Sequence, residues 1–325
     1  MRVPDPPVVK ILDTLLPAAC EVAHTSAARS RCRPHGTLFA LAALLAVALP
    51  PGSAQGSDRA SELHPVLLVH GSGLDAHYWK PLIEALEAEG YDRSMIEAVE
   101  MLPRDGSNTR AATEYLEPAV ERLLVRVGAD AVPGPESRPG RVILVSHSMG
   151  AVSARWYATR IAPHRVAGWI AIAGANRGTN ALCGYSGAGD RQMCPAYARS
   201  GAQSWIQVAL NGTPDRPRDE TPFGIGADSP GRISIAPDRS RRISYWTLRI
   251  EPDSWIEPAS SAQIDGAGGL ALGVPEGLPI EATSPGNYLF RENIEHDDLP
   301  ADPRVVRWIV EVVRAINRDS ASRPM

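Results

Sequence analysis

"RVILVSHSMG", residues 141–150, drives four consecutive apolar residues into a cluster of small polar side chains that ends in glycine. Val142 to Val145 read as a short strand buried on both faces. Helical spacing follows at once, with Val152, Trp156 and Tyr157 on one side. A serine on a sharp turn between strand and helix has its hydroxyl lifted clear of the sheet edge, ready to attack a carbonyl. Such a turn needs small residues two places before and two after the serine; here they are Ser146 and Gly150. Ser148 is therefore the candidate nucleophile. His147 beside it is expected to pack behind the turn, since adjacent residues at a strand end diverge.

The chain around this turn alternates strand and helix patterns. "PVLLVHG" (65–71) reads as a buried strand, and "HYWKPLIEALEAEGY" (77–91) as a helix stopping at Gly90. A second strand falls near "SMIEAVEM" (94–101). An amphipathic helix follows over residues 109–129, with a kink or restart at Pro118. "VAGWIAIAG" (166–174), "RISYWTLRI" (242–250) and "NYLFRENIE" (287–295) read as further strands, and "PRVVRWIVEVVRAI" (303–316) as a closing helix. This order predicts an α/β protein with a doubly wound, mostly parallel sheet. The rhythm breaks over 176–241, which is rich in Gly, Pro, Ser, Asp and Arg with one helical stretch near "SWIQVALN". So long an insertion is expected to form a lid or a wall of a binding site.

Composition narrows the class. The 325 residues are 44% hydrophobic and 22% charged with net charge −4, which suits one large globular domain. A weakly acidic chain without a long basic run excludes nucleic acid as the main partner. Near the start, Arg29, Arg31 and Arg33 lead into "TLFALAALLAVALP" (37–50) and then "PGSAQG". That is the pattern of an export signal with a long n-region spanning 1–54, cleaved near Ala54; the apolar run is short of the roughly 20 residues of a membrane span. A secreted or periplasmic α/β domain over 55–325 is expected, with a retained anchor as the rival. Cys20 and Cys32 would leave with the signal. Cys183 and Cys194 remain, and in an exported chain they are expected to form a disulfide; two free buried thiols are the alternative.

A serine nucleophile of this kind is followed along the chain by its acid and then its histidine. Of eight histidines only His164 and His296 lie beyond Ser148. His164 lies just past the helix that starts at the serine, roughly 20 Å or more away at 1.5 Å per residue. His296, between the last strand and the last helix, is the candidate base. Just past the strand 242–250 lie Glu251, Asp253 and Glu257. Asp253 is chosen, because Trp255, Ile256 and Pro258 can pin its turn and keep the carboxylate dry; Asp265 is the runner-up. Two backbone N–H groups are needed for the oxyanion. Met149 at the helix start and Ser72 in the "HGSG" turn are assigned to it.

Together, "LLVHGSG", "SHSMG", "IAGANRGTN", "EPDSWIEP" and "IEHDDLPADPRVVRWI" resemble the α/β-hydrolase fold, and more narrowly the small secreted lipases and esterases whose turn reads Ala-His-Ser-Met-Gly. The likeness runs from about Pro65 to Asn317. It implies an ester substrate, the triad Ser148, Asp253 and His296, and no cofactor. Ser146 departs from the Ala or Gly of that pattern, and the 176–241 insertion exceeds that of the minimal lipases. Three readings stand beside it: an extracellular polyester depolymerase with the same triad, an amidase or acyltransferase, and an inactive binding protein that keeps the fold. The carboxylates of "EHDD" raise the question of a structural calcium, which would want several oxygen ligands converging from separate loops. Trp205, Ile206, Val208 and Leu210 are either lid packing or an anchor for transient contact with a lipid interface.

Overall fold

The computed structural model describes residues 63–129, 140–195, 204–211, 243–264 and 273–322. They all belong to the unit Ser53–Met325. The export segment, Cys20, Cys32, Ala54, Asp265 and, within the insertion, all of 196–203 and 212–241 lie outside the described residues.

The elements run β1 (Val66–Val69), α1 (Lys80–Ala88), β2 (Ile96–Val99), α2 (Glu117–Arg126), β3 (Val142–His147), α3 (Met149–Trp156), β4 (Val166–Ile172), α4 (Ala188–Met193), α5 (Trp205–Asn211), β5 (Ser244–Ile250), β6 (Ile280–Ser284), β7 (Asn287–Phe290) and α6 (Pro303–Ser322). One seven-stranded sheet orders them β2-β1-β3-β4-β5-β7-β6. Every neighbouring pair is parallel except β6 with β7.

Why the strands read as unbroken apolar runs is visible in where alternate residues go. Val66 and Leu68 of β1, with Ile143 and Val145 of β3, face a core shared with Leu82 and Leu86 of α1 and Trp308 and Ile309 of α6. Leu67, Val69, Val142 and Leu144 face the opposite core, with Val120, Leu123 and Leu124 of α2. Both faces are thus buried under helices, the condition for a parallel sheet. Pro118 restarts a helix as expected: a π-helical segment, Ala111–Leu116, gives way to α2 at the residue before it.

Two features depart from the sequence reading. The segment 273–284, read as a Gly-rich excursion, holds β6, which pairs antiparallel with β7 across Gly286 (φ +76°). Only Ile280 of β6 is buried, so an edge strand held by main-chain bonds carries almost no apolar signal. β7 in turn ends at Phe290 rather than running on to Glu295.

A third cluster joins the insertion to the turn that carries Ser148. Met149 and Val152 of α3 pack with Leu182, Met193, Ile206, Leu210 and Ile256. Cys183 and Cys194 form a disulfide around α4. Ile206 and Leu210 point into this cluster, while Trp205 stays 57% exposed, edge-on to Trp156 at 5.4 Å. Half of the stripe read as lid packing or anchor is therefore packing. Among the described residues no helix is long and apolar enough to cross a membrane.

Arg155, 1% exposed on α3, ties these parts together. Its guanidinium donates to Asn176 O (2.7 Å), Asn211 Oδ1 (2.8 Å) and Leu210 O (3.1 Å). Burial pushes its pKa down to about 9. Arg155→Leu removes these charge-assisted donors and leaves buried acceptors behind. A loss of about 2–4 kcal/mol is expected, read as a lower urea midpoint, with new protease cleavage near α5.

Candidate active site

Ser148 sits between β3 and α3 with φ 52° and ψ −123°. Few non-glycine residues adopt such a backbone, and holding one there costs on the order of 1–3 kcal/mol. The surroundings explain how it is held. The Ser148 N–H donates to Ile172 O of β4 at 3.0 Å. Gly150 lies against β1: a Cβ there would stand 2.7 Å from Val69 O and closer still to His70 O. Gly150→Ala would push α3 off the sheet, with an expected loss of about 3 kcal/mol or more in urea unfolding.

Ser146, where the resembling proteins carry Ala or Gly, finds a place for its hydroxyl. It is fully buried, donates to Ile170 O (3.1 Å) and accepts from Trp169 Nε1 (2.9 Å). The extra oxygen is satisfied inside the sheet, away from the turn.

His296 and Asp253 come from the loops after β7 and β5, and the structure brings them together. His296 Nδ1 lies 2.9 and 3.0 Å from the two Asp253 oxygens. Both side chains are buried, at 2% and 1% exposure. Asp253 Oδ1 also accepts from the Trp255 and Ile256 N–H groups, each at 2.9 Å. The carboxylate needs no proton, so it receives the imidazole Nδ1–H and leaves Nε2 as acceptor. That Nε2 is buried and has no hydrogen-bond partner among the described residues. His296 lines the same pocket as Ser148, although no hydrogen bond joins them. Catalytic bonds are often long before substrate is bound.

Ile256 pins the acid's turn from the third cluster, as expected. Trp255 differs: it serves the turn through its backbone N–H, and its indole stands 41% exposed at the pocket. Thr179 stitches the insertion to this turn, donating to Trp255 O (2.7 Å) and accepting from Glu257 N–H (2.9 Å). Glu251 turns away to Arg249. His164 lies in a separate turn, Pro163–Arg165.

The two assigned oxyanion donors flank Ser148. Gly71 comes so close that a Cβ on it would stand 3.0 Å from Ser148 Cβ. Ser72 lines the pocket, and among the described residues no carbonyl accepts from the Ser72 or Met149 N–H. His70 has a part here that the sequence reading missed. Its Nε2 accepts from Met101 N–H (3.1 Å), so Nδ1 carries the proton that binds Gly71 O at 2.8 Å. Burial keeps its pKa low, which favours this neutral tautomer. The carbonyl and the following N–H of a trans peptide point opposite ways, so anchoring Gly71 O fixes the direction of Ser72 N–H.

His147 packs behind the turn, fully buried, its ring 4.8 Å from that of His296 and its Nε2 3.2 Å from His296 O. Burial lowers its pKa well below the usual histidine range, with the neighbouring His296 second. His147, His296 and Asp297 place ligand atoms within 4.8 Å of one another. Zinc at ~2.1 Å bonds would need donors about 3.4 Å apart, and this set includes the imidazole already bound to Asp253.

The pocket encloses about 260 Å³ beside Ser148. Leu182, Tyr185, Asp190 and Met193, all from the insertion, line it together with Trp255 and Asp297. The arrangement can present a buried imidazole, an exposed-edge hydroxyl and two free amides to a small carbonyl compound.

A family model described as alpha/beta hydrolase family matches residues 66–321. Among solved structures the chain is similar to Aspergillus fumigatus lipase B, at 14% identity over 82% of this chain and 55% of that one, with TM-score 0.49. It is also similar to the phospholipase PlaB from Legionella pneumophila in complex with thio-NAD (13%, 78% and 60%, TM-score 0.48), and to the pyrethroid hydrolase PytH (16%, 78% and 98%, TM-score 0.41). The chain spans about half the length of the lipase.

Proposed function

The chain belongs to the alpha/beta hydrolase family, and from that premise we propose that it is a serine carboxylic ester hydrolase, exported from the cell, working through an acyl-enzyme on Ser148. The observation that carries the reading is the buried His296–Asp253 pair with an unpartnered Nε2 in the same pocket as Ser148. An imidazole so oriented takes the Ser148 proton as the hydroxyl attacks the ester carbonyl. The Ser72 and Met149 N–H groups receive the developing oxyanion, each such donor lowering the barrier by about 2.7–4 kcal/mol. The proton then passes from His296 Nε2 to the leaving alcohol. Water, activated by the same nitrogen, frees the acid and restores Ser148. Asp253 holds the tautomer and stabilises the imidazolium without taking the proton. The disulfide fits a chain that leaves the reducing cytosol.

Hydrolysis of p-nitrophenyl esters from C2 to C16 tests this. A pre-steady-state burst of one p-nitrophenol per chain, followed by slower turnover, is expected. Steady release without a burst, unaffected by a serine-directed phosphonate, would contradict it.

A further inference from the structure

Three carboxylates, those of Asp105, Asp190 and Asp297, line the pocket beside Ser148 and His296. Among the described residues none of them has a hydrogen bond or ion pair through its side chain. No lysine or arginine lines the pocket. The nearby cations are engaged elsewhere: Arg191 donates to Ser186 O, and Arg104 pairs with Asp75 and Glu100. Burial first, and then the Asp105 charge, raise the pKa of Asp190 against the opposing charge of Arg191. Asp190 sits inside the loop closed by Cys183–Cys194, so the wall is held in place. Tyr185 and Trp255, 53% and 41% exposed, bring aromatic surface to the same pocket. A second sign that a ligand belongs here is His296, 2% exposed, which lines the same cavity with its Nε2 unpartnered among the described residues.

Resting on the ester-hydrolase reading, we infer that the preferred substrate is an ester bearing a quaternary or primary ammonium group, held between the Asp105, Asp190 and Asp297 carboxylates and the Tyr185 and Trp255 rings. Carboxylates lining a pocket that no lysine or arginine lines attract a cation, and aromatic faces hold an alkylammonium whose charge is spread over carbon. An anionic ester meets the same wall with repulsion. The apolar Leu182, Met193 and Ile256 leave room for the uncharged remainder of a small substrate.

The test compares isosteres that differ only in charge. For a cation in the alcohol half the pair is acetylcholine and 3,3-dimethylbutyl acetate. For a cation in the acyl half it is the p-nitrophenyl esters of 4-trimethylammoniobutyrate and 5,5-dimethylhexanoate. In one pair kcat/KM is expected to favour the cation about 10-fold at low salt. That ratio should shrink severalfold at 0.5 M NaCl, where charges are screened beyond a few ångströms. In the Asp105→Asn/Asp190→Asn double variant it should fall toward unity. Ratios near one in both pairs, with neutral esters still hydrolysed, would overturn this inference and leave the hydrolase reading intact. Calorimetric binding of phenyltrimethylammonium separates the opposite case. If no ester is cleaved but the cation binds and loses affinity in the double variant, the cation site stands and the hydrolase reading falls. If it does not bind, the inference falls whatever the esters do.

Discussion

Ser148→Ala is expected to lower ester kcat by about 10⁴–10⁶-fold while the protein keeps its fold. The residual rate would come from the oxyanion amides and from substrate binding, which the substitution does not touch. Stability should scarcely move, because alanine feels the same strain at φ 52° as serine does. Ser148→Gly separates the two effects. It is equally inactive but relieved of strain, and a gain of about 1 kcal/mol in urea unfolding is expected after the entropy of a freer unfolded chain is deducted. Loss of activity together with higher stability is the signature of a backbone strained for the hydroxyl's sake. An active Ser148→Ala protein would place the chemistry elsewhere.

Asp253→Asn is expected to reduce kcat by about 10⁴-fold with little change in KM. Asp253 Oδ1 is committed to two backbone N–H groups, so the amide oxygen takes that place and the new NH₂ falls where Oδ2 was. An N–H donor there faces His296 Nδ1 and favours the tautomer that carries its proton on Nε2, where the hydroxyl proton has to go. The negative charge that stabilises the imidazolium is lost as well. Because the turn keeps both N–H bonds, circular dichroism and the urea midpoint should stay close to those of the parent. A drop confined to stability would make Asp253 a structural residue only.

The sheet was legible because burial on both faces writes continuous apolar runs, as in Val66–Val69, Val142–Val145 and Val166–Ile172. The strand β6 was not, because Glu281 to Ser284 are exposed and their pairing is main-chain. The candidates Ser148 and His296 come from chain order and turn chemistry, and the candidate Asp253 from the hydrophobic residues after it; the structure brings His296 and Asp253 within hydrogen-bond distance. His70 gave no such signal: its task lies in which carbonyl Nδ1 meets, and only the approach of the Met101 N–H makes that tautomer evident. The carboxylate wall was equally hidden. Asp105, Asp190 and Asp297 come from the loop after β2, from α4 and from the loop after β7, and each alone reads as a solvated charge. Trp255 misled in the other direction, since an indole beside the Asp253 turn suggests packing, whereas Ile256 does that work and the indole meets the pocket.

The most direct test is to trap the enzyme with a p-nitrophenyl alkylphosphonate, digest it and sequence the labelled peptide by mass spectrometry. The expected result is one phosphonyl group per chain, on Ser148, formed with release of one p-nitrophenolate and prevented by Asp253→Asn on the same timescale. A label on any other residue, or an unlabelled chain that still hydrolyses esters, would contradict the assignment of Ser148 as nucleophile.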